Sequence, residues 1–125
     1  MNKSGASCGF RKNILFILQS SAFNGDRNYQ VARMALSIAM DASPNVLLSG
    51  KALALAALGR KAEKPLADFY EQERHLHDLG IPCYVVREEL STLGLTEEGV
   101  RPGITTISVA ECNALLKRMN FIVTA

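Results

Sequence analysis

Short apolar runs alternate with helical patterns along most of this 125-residue chain, and no other feature of the sequence constrains its fold as strongly. The first of these runs is almost continuously hydrophobic, which is typical of a β-strand that is covered on both faces of its sheet. Such runs lie at 13–19, 43–50, 81–87, 104–109 and 121–125. Between them, the sequence predicts helices at 31–41, 51–60, 65–80, 88–94 and 110–120.

Helices between consecutive strands indicate crossover connections, which join parallel strands. A mostly parallel sheet carries helices on both of its faces. We therefore predict an α/β fold, a three-layer flavodoxin-like sandwich with about five mostly parallel strands. In this prediction residues 12–125 form a single domain, and residues 1–11, which lack periodicity and contain Gly and Ser, form a mobile tail.

The composition argues against several classes of protein. Apolar residues make up 48% of the chain and charged residues 21%, as in ordinary globular proteins. The net charge is only +2 and Lys and Arg form no run, so no nucleic-acid partner is expected. The apolar run at 14–18 is too short for a secretory signal, and the run at 52–58 falls far short of the ~20 residues that span a membrane. We expect a cytoplasmic protein that binds no membrane.

Cysteine and histidine spacing gives no sign of a metal site. Cys8, Cys83 and Cys112 form no CxxC pair, and their odd number and wide separation fit neither a disulfide framework nor a zinc site. We expect free thiols in a reducing compartment. His75 and His77 cannot bind one ion together, since residues i and i+2 point to different sides of a helix.

Loops after the predicted strands are the places where a ligand would bind, because ligands of open α/β sheets lie beyond the carboxyl ends of the strands. The candidate ligand-binding residues in these loops are Ser20, Ser21, Asn24, Ser49 and Gly50. The first loop, "SSAFNGD", has hydroxyls and a glycine before a helix, as a phosphate loop would. Asp26 would repel a phosphate, so we favour the interpretation that this loop is an ordinary connection between strand and helix. The next interpretation is a loop that contacts a partner or a small ligand. No cofactor is expected.

Cys83 has two interpretations. Ile81, Cys83 and Val85 alternate onto one side of the predicted strand, and a buried, inert thiol is the usual outcome in a sheet covered on both faces. The functional interpretation places Cys83 near the carboxyl end of the strand, where Arg87 and the start of the 88–94 helix would lower the pKa of the thiol and make it a nucleophile. Both interpretations stay open from the residues alone.

Several segments together resemble a known family. They are "NILFILQSSAF", "VARMALSIAM", "NVLLSGKALALAALG", "LHDLGIPCYVV" and "ISVAECNALLKRMNFIVTA". Between about Lys12 and Ala125 the chain resembles the DsrE/DsrF-like family of small sulfur-relay proteins, which includes the TusB, TusC and TusD type subunits. The resemblance implies a flavodoxin-like sandwich that assembles into trimers or hexamers. It also implies that active members carry a persulfide on a cysteine between the third strand and the next short helix.

The resemblance suggests two functions for this chain. In the first, Cys83 takes up sulfane sulfur from a donor protein and passes it to an acceptor protein, with Arg87 stabilising the thiolate, as in intracellular sulfur relay. In the second, the chain is a non-catalytic oligomeric binding or subunit module with a small-molecule pocket between protomers, because some members of the family lack the cysteine.

Overall fold

A five-stranded parallel sheet forms the centre of the molecule. The computed structural model describes residues 2–4, 6–7, 12–19, 27–56 and 64–124. The strands are β1 (Asn2–Ser4), β2 (Ala6–Ser7), β3 (Lys12–Leu18), β4 (Ala42–Leu48), β5 (Cys83–Val86), β6 (Thr105–Ile107) and β7 (Phe121–Thr124). The α-helices are α1 (Arg27–Ser37), α2 (Lys64–Asp78), α3 (Arg87–Leu90) and α4 (Val109–Lys117), and 3₁₀ turns cover Gly50–Ala56, Ser91–Leu93 and Glu97–Gly99.

The main sheet has the strand order β6-β5-β4-β3-β7, and every pairing within it is parallel. This confirms the predicted α/β sandwich with a parallel sheet. Among the described strands, β1 and β2 pair with each other and not with the main sheet. The mobility of the N-terminal tail remains a prediction.

The direction in which the chain crosses the sheet decides which face each helix covers. From β3 to β6 each strand is added on the same side of the previous one, so right-handed crossovers place their connections on one face. The step from β6 to β7 runs back across the sheet, which places α4 on the other face. The loops that follow β5 and β6 therefore lead to opposite faces, and the cleft between the ends of these two strands is where such a fold would bind a ligand.

Two apolar cores follow from this layering. The larger core includes Phe16, Val46, Cys83, Val85 and Leu76, so it joins alternate residues of the strands to the helical layer that contains α1 and α2. The smaller core consists of Leu15, Leu47, Val86, Ile107 and Leu115, against which Cys112 packs. Cys112 is therefore a partly buried packing residue of α4.

The predicted helix at 51–60 is wrong for the residues that are described there. Gly50–Ala56 forms 3₁₀ turns, and the N–H of Ala52 donates to the carbonyl of Ser49 at 3.0 Å, three residues back. The backbone of Gly50 has a φ of 55°, the left-handed region that turns the chain sharply after β4. Residues 57–63 lie outside the described part of the chain. Among the helices that are described, none has the length and apolar character that crossing a bilayer demands.

Candidate functional site

At the carboxyl ends of β5 and β6, an acidic side chain of the protein itself reaches across the cleft. Glu88, in the short helix after β5, accepts a hydrogen bond of 3.2 Å from the backbone N–H of Val109, the first residue of α4. Helix N-termini attract anions because their first N–H groups have no partner within the helix. The Glu88 carboxylate therefore occupies the position that an anionic ligand of this cleft would take.

Capping satisfies further donors at the start of α4. The N–H of Glu111 donates to the Ser108 hydroxyl at 3.1 Å, and the N–H of Ser108 donates to the Glu111 carboxylate at 2.9 Å. Hydrogen bonds to the Glu111 carboxylate from the backbone and the side chain of Ser108 lower the pKa of Glu111. Together they form a capping box, which fixes the helix where β6 ends.

Of the two predicted ligand-binding residues that are described, Ser49 makes a side-chain contact with an acid beside this cleft. Its hydroxyl lies 3.2 Å from each carboxylate oxygen of Glu89. Gly50 follows it and begins the 3₁₀ turns. Ser20, Ser21 and Asn24 lie outside the described residues, so their role as ligand-binding residues stays a prediction.

Arg87 is turned toward another acid at the rim of the cleft. Its Nε donates to Glu97 at 2.7 Å, and both side chains are about half exposed. This hydrogen bond is the main reason why the pKa of Arg87 is raised. With Glu88, Glu89 and Glu111 beside it, the rim is predominantly acidic, and an incoming phosphate or persulfide anion would meet mostly like charge.

Cys83 lies at the opposite end of its strand from the position predicted for a nucleophile. It is the first residue of β5, pairs with Val46, and is 3% exposed within the larger core. A strand rises about 3.3 Å per residue, so the thiol is roughly 10 Å from the carboxyl end where Arg87 begins the next helix. The expectation that Cys83 lies near the carboxyl end of the strand is therefore wrong.

The pKa of Cys83 is raised to about 12, and burial is the largest cause. The negative charge of Glu73 raises it further, while Arg101 acts in the opposite direction. The expectation that Arg87 would lower this pKa is wrong, because Arg87 is remote and engaged with Glu97. A pKa of about 12 leaves roughly 10⁻⁵ of the thiol ionised at pH 7, whereas attack on a sulfur donor requires the thiolate.

A buried ion pair beside Cys83 was not predicted from the sequence. Glu73 is 4% exposed, and its carboxylate lies 3.0 Å from a guanidinium nitrogen of Arg101. Burial raises the pKa of Glu73, and the charges of Arg101 and His77 oppose that shift. One sequence feature could have predicted this ion pair: Glu73 lies three residues before Leu76, on the apolar stripe of its helix. An acid on such a stripe must find a partner when the stripe is buried.

Among the cavities lined by described residues are three of about 240–380 Å³, and none of these three is lined by Cys83, Arg87, Ser49 or Gly50. Two lie at the amino ends of the strands, with volumes of about 380 and 240 Å³, and both are lined by Gly80, Ile81 and Pro82. The third, of about 260 Å³, lies beside α4. No group of three metal-binding side chains occurs among the described residues.

Comparison with known proteins finds a similarity in fold. No protein-family model matches the chain, and no curated protein matches its sequence. Among solved structures, the chain resembles the ychN protein from E. coli, with a TM-score of 0.74, 12% identity, and coverage of 91% of this chain and 99% of that one. It also resembles a protein of unknown function from Methanobacterium thermoautotrophicum, with a TM-score of 0.68, 8% identity and the same coverage of 91% and 99%.

Both of these structures have the DsrE/DsrF-like fold. The likeness thus supports that fold for this chain. At such low identity it carries no information about activity.

Proposed function

We propose that this protein is a non-catalytic binding or subunit module of the DsrE-like fold that acts in the cytoplasm as a homo-oligomer. A trimer or hexamer is the expected assembly, with a small-molecule pocket between protomers. The single observation that carries the proposal is the burial of Cys83 at the amino end of β5, where its thiol is kept protonated.

Sulfur relay through Cys83, between a donor and an acceptor protein, is the second candidate. The thiolate would attack the outer sulfur of a donor persulfide, forming a Cys83 persulfide and releasing the donor thiolate, and an acceptor thiolate would then take that sulfur. One observation favours it. Cys83 directly follows Ile81 and Pro82, which line the cavity of about 380 Å³, so a local opening at this edge would expose the thiol.

Mass spectrometry after incubation with a low-molecular-weight persulfide separates the two candidates. We expect native Cys83 to gain no sulfur, while the same peptide from urea-unfolded protein is modified readily because the thiol is then exposed. Cys112 is the internal control, since it is only partly buried and its pKa is also raised by burial. A gain of one sulfur on native Cys83, at a rate comparable to that of the unfolded chain, would refute the module proposal in favour of relay.

A further inference from the structure

The strand β7 lies at one end of the main sheet, and no other described strand pairs with its outer edge. Its four residues are all exposed, including Phe121 at 57%, Ile122 at 48% and Val123 at 40%. β7 pairs with β3 on one side, and no described helix makes an extensive contact with it. Three large apolar side chains therefore stand in solvent beside a row of backbone groups that no other described strand pairs with.

The opposite edge of the sheet differs in character. β6 offers only three residues, Thr105–Ile107, of which the first two are threonines and Ile107 is buried. Proteins usually protect an edge strand by making it short or by placing charges, proline or a bulge in it. Phe121–Thr124 has no charge, no proline and no register shift against β3. It therefore has the features of an edge that is covered in the assembled protein.

We infer that β7 pairs with β7 of a second copy of this chain, in antiparallel orientation about a two-fold axis. This rests on the proposed function, because it names the surface through which the module assembles. An antiparallel strand pair is self-complementary, since each copy offers the same alternation of donors and acceptors to the other. The uncharged edge lets identical copies meet without the repulsion that like charges directly opposite each other would cause.

The side-chain positions support a specific register. Residues directly opposite each other in an antiparallel pair lie on the same face, and Phe121 and Val123 share one face of β7 while Ile122 lies on the other. Placing the axis at Ile122 puts Phe121 opposite Val123 of the partner subunit, in both directions. This aromatic and β-branched pairing is a favourable one across strands. It joins the two five-stranded sheets into one continuous sheet.

The size of the edge sets the expected strength of the contact. A four-residue strand covers less than the roughly 800 Å² that each partner buries in a standard interface. Backbone hydrogen bonds supply most of the affinity when one strand is added to another. We therefore expect a contact that dissociates on dilution unless other surfaces of the assembly reinforce it.

The test compares two lysine substitutions in the full chain by size-exclusion chromatography with light scattering over a range of concentrations. Ile122→Lys should halve the mass of the assembly, as from a hexamer to trimers, because loss of the two-fold contacts separates it into two equal parts. A wild-type protein that is a trimer has no two-fold contact and would also overturn the inference. Thr105→Lys is the matched control, since it places the same charge at an exposed position of the opposite edge, and it should leave the mass unchanged. An unaltered mass for Ile122→Lys would overturn the inference.

Cross-linking keeps the inference testable if the lysine variant fails to fold. In a Cys8→Ser, Cys112→Ser background, Ile122→Cys should give a disulfide-linked dimer with diamide as oxidant. Opposed Cα atoms of an antiparallel pair are about 4.5–5.5 Å apart, which suits a disulfide. Thr105→Cys in the same background should give none. Failure of Ile122→Cys to cross-link would overturn the inference.

The outcomes separate this interface from the proposed function. Sulfur loading on native Cys83 together with a halved mass for Ile122→Lys would refute the non-catalytic role and leave the interface standing. A protein that is monomeric at every concentration would overturn both the assembly and the interface. A monomer that dimerises only after deletion of residues 1–11 would show that the N-terminal segment, and not a second copy, covers β7.

Discussion

Breaking the buried ion pair between Glu73 and Arg101 should cost more stability than breaking its surface counterpart, and replacing Arg101 by Met tests this. The substitution keeps the length and much of the apolar volume of the side chain but leaves the Glu73 carboxylate, 4% exposed, without the charge 3.0 Å away. Removing one partner of a buried pair typically costs about 3–5 kcal/mol. Because the Arg101 side chain is 21% exposed, we expect a value near the lower end, about 3 kcal/mol.

Urea unfolding followed by far-ultraviolet circular dichroism measures this loss, since the chain has no tryptophan to report by fluorescence. Arg87→Met is the matched control, because it breaks an Arg–Glu contact of 2.7 Å between half-exposed side chains. Solvent screens such a pair, so the control should lose far less stability. Adding Glu73→Leu to Arg101→Met should recover part of the loss, because the unpaired buried charge is then gone.

The pH dependence gives an independent check with a defined sign. Burial raises the pKa of Glu73 in the folded protein, so its contribution to stability is complete below the unfolded-state pKa and is lost as the pH rises through the folded-state value. Arg101→Met removes the charge that opposes this shift and should raise the folded-state pKa further. The difference in unfolding free energy between the wild type and Arg101→Met should therefore shrink as the pH falls. Equal losses for Arg101→Met and Arg87→Met, or a difference that does not change with pH, would refute the reasoning.

Two further predictions concern the capping box and the buried thiol. Ser108→Ala should lower the free energy of unfolding by about 1 kcal/mol, because it removes the acceptor for the Glu111 N–H at 3.1 Å. An unchanged midpoint of urea unfolding would contradict the role assigned to this cap. Cys83→Ser should destabilise more than Cys83→Ala, since a hydroxyl buried without a hydrogen bond costs roughly 1–3 kcal/mol. Thermal unfolding of both variants checks the order, and a serine variant as stable as the wild type would indicate that position 83 is not enclosed.

Local patterns were sufficient to predict the strands because a strand covered on both faces must be apolar at consecutive positions. The runs at 13–19 and 43–50 correspond to Lys12–Leu18 and Ala42–Leu48 within one or two residues. The helix after β6 was likewise predictable, and the spacing of Ser108 and Glu111 at its start is a recognisable capping signature. Helix content after β4 was overestimated, because the Ala/Leu composition of 51–60 favours a helix whereas Gly50 begins 3₁₀ turns there.

The chemistry of Cys83 depended on where β5 begins, which the sequence of "GIPCYVVREEL" leaves open by a few residues. Pairing with Val46 makes Cys83 the first residue of the strand, and this register separates the thiol from Arg87 and places it beside Glu73. Likewise, no local pattern marks Glu88 as a neighbour of α4. Only the approach of α4 from the opposite face brought the backbone N–H of Val109 to its carboxylate.

The sequence by itself determined the alternation of strands and helices and, through the crossovers that alternation requires, a parallel α/β sandwich. Periodicity and length are local properties, so they predict strands and helices without knowledge of which residues become neighbours in the fold. Tertiary structure alone decided that Cys83 is enclosed, that Glu73 meets Arg101, that Glu88 contacts the start of α4, and that no other described strand pairs with the outer edge of β7. Each of these depends on strand order and register, which bring together residues far apart in the chain and set the burial and charge that govern their chemistry.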